Sequence, residues 1–587
     1  MPDRLVKEQS LFDDILDVAK ANTIFSHHAS LYNLYVYFWR WAIWKAFEAH
    51  GDGPGVVSFI TGSSWLHGPG FVGLRQLVRE ICDECWVIDL GGDNKGANPE
   101  ENIFAIETPV AVVTMVRDNV SDRSSPASIH YRRVRGTAED KLAAMQKIAD
   151  GPDAFAGDWL TAPAGWLDPM VPSTGDAAWE EMPLITDLFP WQQPGCKFGR
   201  TWPIAPSKDL LERRWQKFAG AAAADRPALF VTASSGRNIK TKVAGLPLLA
   251  ETKADDAHPA IKRYAYRSFD RQWAFDDPRL ANLERPSLWQ SASPTQIFLT
   301  SLLTGEIAGG PALTASSEVP DLHYFRGNFG GKDIIPLWRD GAAKVPNMAQ
   351  GLSKLLAKRL GIDPPSVEDL AAYVYSLLSA SAYHQRFATA LRTPGLHVPL
   401  TAEVALWNEA VSAGRALLWL HTYAERLRDP AAGRGQYVPD VEGVGWTRTV
   451  NKIPATASDI AYDRETGALT IGDGILVGVR PEVWNYKVSG MPVLSKWLGY
   501  RTAKGTGRAA SSASGLDHIR PMQWADEWND ELLDLVRILT VTVERQEELA
   551  GLLSRICDGP LIPAASLPAP TKVERQPPPT LPRKMAD

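Results

Sequence analysis

The chain has 587 residues and a formal net charge of −6, with 45% hydrophobic and 22% charged residues. This length predicts several domains, because a single hydrophobic core stops growing at about 250–300 residues. The acidic balance excludes a uniformly basic coat, so any contact with nucleic acid depends on local basic patches. Four cysteines are too few for a disulfide framework, which points to a reducing cytoplasm. No apolar run approaches the ~20 residues that a membrane-spanning helix needs.

The N-terminal part predicts two helices and then a sheet. Within residues 1–50, apolar and aromatic groups surround the second helix from Tyr32 to Phe47, so that helix must be buried on more than one side. A strand at 55–60, a helix at 71–82 and a strand at 86–90 follow. A polar loop that returns to a strand covers 91–106, and a third apolar strand covers 110–116. These lengths predict a sheet with helices packed on it.

Two glycine-rich stretches have features of a cofactor loop. Gly51, Gly53 and Gly55 precede a strand, whereas a phosphate-binding loop follows a strand and opens a helix. "VIDLGGDN" does follow a strand, but "KGANPEENIF" comes next, contains Pro99 and supplies no helix N-terminus to a ligand. We therefore expect turns at both places. A permuted enzyme that binds its cofactor at "VIDLGGDN" stays open as an alternative.

Other catalytic and metal-binding patterns are missing from the sequence. Cys82 and Cys85 have redox or zinc spacing, but no second close pair completes a metal site, so we expect them to be buried structural residues. The eleven histidines show no His-Glu-x-x-His spacing. A Gly-x-Ser-x-Gly elbow and a Gly-x-x-x-x-Gly-Lys-Ser/Thr loop are also missing. These absences exclude the common hydrolase and ATPase motifs.

The rest of the chain mixes strands and helices without a repeat. We predict an arginine-rich β-type run at 130–135, a Gly/Pro/Trp-rich passage at 154–166 and a mixed region at 180–400. A helical run is predicted at 366–391, a β-rich region at 440–502 and a long amphipathic helix at 528–557. Eight prolines between Pro560 and Pro582 leave too little apolar material to pack. We therefore expect a disordered tail.

Four motifs between residues 56 and 117 occur in an informative order: "VVSFITGSSWL", helix "FVGLRQLVREI", strand "WVIDLGGDN" and "NIFAIETPVAVVTMVR". This order resembles the second half of the catalytic domain of adenine-specific DNA methyltransferases. More narrowly, the chain resembles the type ISP restriction-modification enzymes, which are DNA methyltransferases with a long C-terminal specificity region. The resemblance continues through "YRSFDRQWAFDDPRL", "DLAAYVYSLLSASAYHQRFATAL" and residues 446–502.

The resemblance implies an α/β fold in which a partial Rossmann-like methyltransferase sheet precedes a mixed α/β target-recognition region and a helical C-terminal part. The implied domains are the second half of the catalytic domain at 1–150 and the DNA-specificity region at 151–430. A closing α/β and helical domain at 431–557 and the disordered tail at 558–587 follow. Phe104 occupies the family position that packs against the flipped adenine, and the turn with Thr61, Ser63 and Ser64 lies beside it. Flat side chains suit this task because an extruded base is held by stacking.

Basic residues in several motifs are candidates for DNA contact. "GCKFGRTW" and "YRSFDRQW" match family elements, although Ser268 stands where proline is usual, and Arg, Lys and Trp together suit backbone and base-edge contacts. The same residues suit cation–π pairs in a core. The predicted DNA-binding residues, including those of the arginine-rich run and of the polar loop at 234–240, are Arg132, Arg133, Arg135, Lys197, Arg200, Arg237, Lys240, Arg267 and Arg271.

No Asn-Pro-Pro-Tyr tetrapeptide and no Asp-Pro-x-x-Gly-x-Gly loop occur in the sequence. In the resembled family both precede the equivalent of Leu31, so we expect S-adenosylmethionine on a complementary methyltransferase half, and double-stranded DNA as the shared partner. A catalytic residue in this chain is not expected. The alternative from another class is a catalytically inactive DNA-recognition subunit that retains the fold.

Overall fold

The computed structural model describes residues 10–22, 27–51, 53–92, 100–106, 108–118, 124–150, 157–172, 177–231, 236–305, 307, 309–325, 333–392, 394–505 and 514–580. The fold is mixed α/β, as expected. Two compact units divide the chain: the first comprises Met1–Glu181, Leu303–Ala308 and Phe387–His397, and the second comprises Met182–Leu302, Gly309–Arg386 and Val398–Asp587. None of the described helices is long and apolar enough to cross a membrane.

The first unit contains one sheet and five helices within its described residues. The helices are α1 (Asp13–Asn22), α2 (Leu34–Ile43), α3 (Val72–Ile81), α4 (Ala138–Asp150) and α5 (Ala177–Glu181). The strands are β1 (Gly55–Gly62), β2 (Glu84–Gly91), β3 (Val110–Arg117), β4 (Ser128–Arg133) and β5 (Leu160–Thr161), in the spatial order β1-β3-β2-β4-β5. The strands and helix predicted from 55 to 116 are thus present, except that 102–106 is a bent loop.

The register of the sheet brings several strand ends together. β3 runs antiparallel to both β1 and β2, and its first residue, Val110, pairs with Gly62 and Gly91. β4 runs parallel to β2, with Arg133 beside Asp89. The carboxyl ends of β1, β2 and β4 therefore lie at one edge of the sheet, together with the loop that leads into β3.

One face of this sheet forms the core of the first unit. Alternate residues of the strands point the same way, and this face buries Val57, Val87, Val113 and Met115. The helices contribute apolar side chains to the same cluster, among them Ile15, Val36, Trp39, Leu74 and Val78. The sequence therefore makes a sheet because its strands alternate, and α1, α2 and α3 pack on it through apolar residues at helical spacing.

The second unit contains several small sheets and the longer helices. Its strands are β6 (Gln193–Pro194), β7 (Ile204–Ala205), β8 (Ile261–Arg267), β9 (Asp270–Phe275), β10 (Phe298–Ser301), β11 (Thr314–Ser316), β12 (Asp333–Pro336), β13 (Gly445–Arg448), β14 (Ile460–Asp463), β15 (Ala468–Ile471), β16 (Gly474–Val477), β17 (Lys487–Val488) and β18 (Met491–Pro492). They form the sheets β11-β10-β12-β6, β7-β9-β8, β13-β16-β15-β14 and β17-β18.

The helices of the second unit are α6 (Ile185–Leu188), α7 (Lys208–Gly220), α8 (Arg226–Phe230), α9 (Pro286–Ser291), α10 (Leu352–Leu360), α11 (Val367–Leu378), α12 (Ser381–Arg386), α13 (Val404–His421), α14 (Pro481–Trp484), α15 (Val493–Gly499), α16 (Asp526–Glu544), α17 (Gln546–Asp558) and α18 (Lys572–Arg575). α11 and α13 pack so closely that a Cβ on Gly414 would overlap the backbone carbonyl of Ala372. The single helix predicted at 528–557 is two helices that meet at Arg545.

The structure differs from the predicted domain limits and from the predicted disordered tail. The first unit extends to Glu181 rather than to 150, and no boundary at 430 divides the second unit. Residues 558–580 pack on the second unit, where Arg575 pairs with Asp187 at 2.9 Å and Arg339 donates to the Glu574 carbonyl at 2.8 Å. The tail is also held by backbone bonds, such as that from the Ile562 amide to the Leu400 carbonyl at 2.7 Å, and Ile562 is buried. Residues 581–587 lie outside the described residues.

Candidate functional site

The candidate site is the edge of the first sheet where β1, β2 and β4 end. In open α/β sheets ligands bind outside the carboxyl ends of the strands. The edge carries the turn after β1 and the loop at 100–106. The predicted base-binding residues Phe104, Thr61, Ser63 and Ser64 all belong to this edge, so the structure brings them to one side of the sheet.

Phe104 lies at the surface of the loop that precedes β3. Its side chain is 45% exposed, and so is that of Ile106 two residues later. The Ile106 amide donates to the Phe104 carbonyl at 2.8 Å, which holds the two residues in a tight turn. Two apolar side chains therefore project from a short turn, an arrangement that can present a flat surface to a ligand.

A buried amide lies directly beneath this turn. Asn102 donates from Nδ2 to the carbonyls of Gly92 at 3.0 Å and Thr108 at 2.8 Å, and its Oδ1 accepts from the Phe104 amide at 3.0 Å. Gly92 has φ +90, and a Cβ there would lie 2.6 Å from the Asn102 side chain. Only glycine gives Asn102 this access, because L side chains rarely adopt that φ and have no room here.

A charged network fixes the start of the same loop. Arg133 pairs with Asp89 at 2.9 Å and with Glu100. Lys141, which is fully buried, pairs with Glu100 at 3.0 Å and donates to the Glu101 carbonyl at 2.6 Å. Burial, together with the nearby Asp89 carboxylate that accepts its hydroxyl at 2.7 Å, raises the pKa of Tyr131. These groups tie the loop to β2, β4 and α4.

The hydroxyl residues of the turn after β1 have partners within the protein. Thr61 Oγ1 accepts from the Trp39 indole at 3.0 Å, and Ser64 Oγ lies 3.1 Å from the Tyr35 hydroxyl. Ser63 is buried, and its amide donates to the Pro109 carbonyl at 2.9 Å. These contacts fix the turn against α2 and the start of β3. They leave Phe104 and Ile106 as the more accessible groups of this edge.

His67 is a residue of this region that the sequence did not single out. Burial lowers its pKa to about 4, although the nearby Asp89 opposes this shift. Its Nδ1 is buried without a hydrogen-bond partner among the described residues. A lone histidine after a polar turn gives no motif, so sequence reasoning had no signal for it.

The Asp89 carboxylate leaves little capacity for a cofactor at "VIDLGGDN". One oxygen accepts from the Tyr131 hydroxyl, and the other accepts from Arg133 and from the Gly91 amide, both at 2.9 Å. A ligand there would have to displace one of these donors. Residues 93–99 of the stretch lie outside the described residues. Within the described residues no group of three or more His, Cys, Asp or Glu side chains could hold a metal ion.

The predicted DNA-binding residues of the first unit have different environments. Arg133 belongs to the charged network described above, and its assignment as a DNA contact stays a prediction. Arg132 is half-buried, with its guanidinium 6.0 Å from the Trp159 ring. Arg135 is exposed just after β4. Of these three arginines, Arg135 is the one in the exposed class.

Three predicted DNA-binding arginines of the second unit have partners within the protein, and their assignment to DNA stays a prediction. Arg200 is buried, donates to the carbonyls of Leu280 at 3.1 Å and Arg237 at 2.7 Å, and its pKa falls to about 10 because of that burial. Arg267 is buried and pairs with Asp321 at 3.0 Å. Arg271 pairs with Glu425 at 2.6 Å and lies 3.6 Å from the Tyr423 ring. Arg200 and Arg267 are buried, whereas the Arg271 side chain is 16% exposed.

The other basic candidates of the second unit remain nearer the surface. Lys240 is exposed, whereas Lys197 and Arg237 are half-buried. Arg237 donates to the Pro278 carbonyl, and the Lys240 amide donates to Asn238 Oδ1 at 2.8 Å. Ser234 and Ser235, which begin the predicted polar loop, lie outside the described residues. The DNA-binding assignments of Lys240, Lys197 and Arg237 stay predictions.

Comparison with a protein-family profile gives a match over most of the second unit. The profile of the Type ISP C-terminal specificity domain matches residues 187–535. No curated protein sequence matches the chain.

Solved structures of larger proteins have a similar fold. The DrdV–DNA complex aligns with a TM-score of 0.59 and 18% identity, over 94% of this chain and 54% of that one. A nuclease-deletion mutant of the Type ISP enzyme LlaGI in complex with a DNA substrate mimic aligns with a TM-score of 0.57 and 18% identity. The alignment covers 92% of this chain and 42% of that one. The ATP-dependent Type ISP enzyme LlaBIII bound to DNA aligns with a TM-score of 0.62 and 16% identity, over 94% of this chain and 36% of that one. The chain thus spans about half or less of the length of these proteins.

Proposed function

The chain belongs to the family of Type ISP C-terminal specificity domains, and from this premise we propose that it recognises double-stranded DNA within a restriction-modification system. The observation that supports DNA as the partner is the likeness over 92–94% of the chain to proteins whose structures were solved with DNA. Several of the predicted arginines already have acceptors within the protein. The contacts that we assign to phosphates are therefore those of Arg135 and Lys240. Arg132, Lys197 and Arg237 are secondary candidates.

We further propose that the first unit captures an adenine for methylation with S-adenosylmethionine. The geometry that supports this is the exposed Phe104 at the carboxyl edge of the sheet, next to the turn at 61–64. Methylation of a base inside duplex DNA requires its extrusion from the stack, and an extruded base is held by flat apolar side chains. The sheet order β1-β3-β2, with β3 antiparallel to both neighbours, supports the partial Rossmann-like methyltransferase sheet that we propose.

The cofactor and the Asn-Pro-Pro-Tyr motif are assigned to a complementary methyltransferase half. Among the described residues β1 has a backbone partner on one side only, β3. Its outward residues Val56 and Ile60 are 63% and 52% exposed, and Leu34, Phe38 and Trp41 form an exposed stripe on α2. An open, apolar strand edge promotes association with another strand, so these surfaces suit a covering α/β partner.

The test of DNA recognition is a fluorescence-anisotropy titration of the full chain on duplex DNA at several salt concentrations. If Arg135 and Lys240 each neutralise one phosphate, Arg135→Ala and Lys240→Ala should each reduce the slope of log K against log salt by about 0.9. Lys358→Ala, at an exposed lysine of α10, is the matched control and should leave the slope unchanged. Absence of DNA binding by the unaltered chain would contradict the proposal.

The test of methylation is co-expression with a polypeptide that carries the Asn-Pro-Pro-Tyr motif. The pair should methylate adenine in duplex DNA, whereas calorimetry on this chain alone should detect no S-adenosylmethionine binding at about 1 mM, the weak end of the usual range. Tight binding that is lost in Asp89→Ala would support the permuted enzyme instead. DNA binding without methylation by any such pair would favour the inactive recognition subunit, which the missing motifs make the second candidate.

A further inference from the structure

The loop that carries Phe104 combines an exposed tip with a fixed base. Phe104 and Ile106 are both 45% exposed, although each is a large apolar side chain. Asn102, two residues before Phe104, is buried. Exposed apolar groups on a loop move freely unless backbone contacts restrain them. The position of the tip therefore depends on the contacts of its base.

Asn102 closes that base through every polar group of its side chain. Its two amide hydrogens reach the carbonyls of Gly92 and Thr108, at 3.0 and 2.8 Å, and its oxygen accepts from the Phe104 amide at 3.0 Å. One side chain thus joins the end of β2, the approach to β3 and the tip. Neither Asp nor Leu can replace it, since Asp cannot donate and Leu would leave two buried carbonyls unpaired.

Separate tethers hold the residues just before Asn102. Glu100 pairs with Arg133 of β4 and with Lys141 of α4, and Lys141 also donates to the Glu101 carbonyl at 2.6 Å. The consecutive residues Glu100, Glu101 and Asn102 are therefore held by contacts with β4, with α4 and with the end of β2. The tip alone faces outward, and this is the arrangement of a preorganised contact, which binds with less ordering cost than a mobile loop.

We infer that Asn102 is a positioning residue that holds Phe104 and Ile106 as a joint stacking surface for an unpaired purine base. This inference rests on the proposed capture of adenine. Asn102 itself does not touch the base, because its side chain is buried and its bonds are already made. Ile106 supplies the second apolar contact beside Phe104, a role that the sequence did not indicate.

The experiment uses the full chain and a duplex with one 2-aminopurine opposite an abasic site, because such a base costs little to extrude. Stacking on Phe104 should change the 2-aminopurine fluorescence, and Phe104→Ala should weaken that complex by about 5- to 150-fold, the usual effect of removing a base-stacking aromatic. Asn102→Ala should reduce the fluorescence change several-fold while affinity for an undamaged duplex changes less than twofold. Ile106→Ala should have an intermediate effect.

Asn347 provides a matched control in the second unit. It is buried and makes the same three bonds, accepting from the Trp191 amide at 2.9 Å and donating to the carbonyls of Trp191 at 2.7 Å and Pro336 at 2.8 Å. Asn347→Ala should lower stability as Asn102→Ala does, yet leave the 2-aminopurine signal intact. Equal loss of signal in the two variants, or an unaltered signal in Asn102→Ala, overturns the inference.

Amide hydrogen exchange separates the failure of the inference from the failure of the proposed function. If the unaltered chain binds the duplex without any fluorescence change, base capture is wrong. Exchange of the Phe104 amide then tests the positioning role of Asn102 by itself. Faster exchange in Asn102→Ala but not in Asn347→Ala supports that role, and equal protection in all three proteins overturns it.

Discussion

At the scale of single residues, His421 shows how burial sets a charge state in the second unit. Its Nδ1 lies 2.6 Å from the Tyr375 hydroxyl and its Nε2 lies 2.9 Å from Thr542 Oγ1. Burial, with a smaller contribution from Arg545, lowers its pKa to about 3. His421 is therefore neutral in the folded protein at pH values where an unfolded histidine is already protonated.

This depressed pKa predicts a loss of stability in acid. The unfolded state binds a proton with a pKa near 6.5 and the folded state only near 3, so His421 favours unfolding progressively as the pH falls through that window. The slope from this group is at most about 1.4 kcal/mol per pH unit. Urea unfolding followed from pH 7 to 4 should show a smaller acid loss in His421→Gln than in the unaltered protein, because glutamine does not titrate.

The control for this measurement is a histidine at the surface. His258 is exposed, so His258→Gln is the matched substitution outside the core. If His421→Gln and the unaltered protein lose stability in parallel between pH 6.5 and 4, another group causes the acid sensitivity.

Gly92 gives a second prediction at this scale. A methyl group at φ +90 would strain the backbone and collide with Asn102, so Gly92→Ala should displace the amide and loosen the tip. The cost should be about 1–3 kcal/mol of stability, measured by urea unfolding. Gly433→Ala, at φ +76 with open space around it, carries the backbone strain without the collision. A Gly92→Ala protein with wild-type exchange at Phe104 would show that the collision is relieved elsewhere.

Arginine assignments show where the sequence was ambiguous. "YRSFDRQW" predicted both DNA contacts and cation–π core pairs, and the structure contains the second arrangement: Arg267 lies 3.8 Å from the Tyr266 ring, and Arg271 contacts Tyr423. Asp321 and Glu425, their acidic partners, lie 54 and 154 residues further along the chain. No local pattern can reveal partners at such separations.

At the scale of elements, the strands of the first sheet were predictable and the second unit was less so. β1, β2, β3 and α3 have strong alternation or helical spacing, and the structure confirms them. The loop at 102–106 read as a strand because it is apolar, but Asn102 and the tight turn at Phe104 divert its backbone bonds. The tail is poor in apolar residues, and its order comes from arginine contacts and from backbone bonds to residues 400–402, which composition does not encode.

The outer edge of β1 gives the prediction at this scale. Lysines on an edge strand oppose pairing with another strand, so Val56→Lys with Ile60→Lys should prevent co-purification with the proposed complementary half and leave the first unit folded. The fold is preserved because both side chains already face solvent. Size-exclusion chromatography and circular dichroism measure the two properties.

Leu142→Lys is the comparison for the β1 variant. Leu142 is 57% exposed on α4, a different part of the same unit, so it should retain the complex. If the β1 double variant and Leu142→Lys assemble equally well, the complementary half does not cover β1.

At the scale of the whole molecule, the second unit begins and ends at the same place. Arg575 of α18 donates to the Thr186 carbonyl at 3.1 Å and pairs with Asp187, both in α6. Arg339, between them in sequence, contacts Glu574 and Gln576. The last described helix therefore stabilises the first.

This closure has a consequence for biosynthesis. Domains generally fold as units while the chain emerges from the ribosome, but α6 cannot acquire its final partner until about 390 further residues have been translated, at 5–20 residues per second. For roughly 20–80 seconds on those rates, the nascent second unit has to persist without its final contact. We expect chaperones and proteases to meet that unfinished form first, since its last contact forms only after Arg575 has been translated.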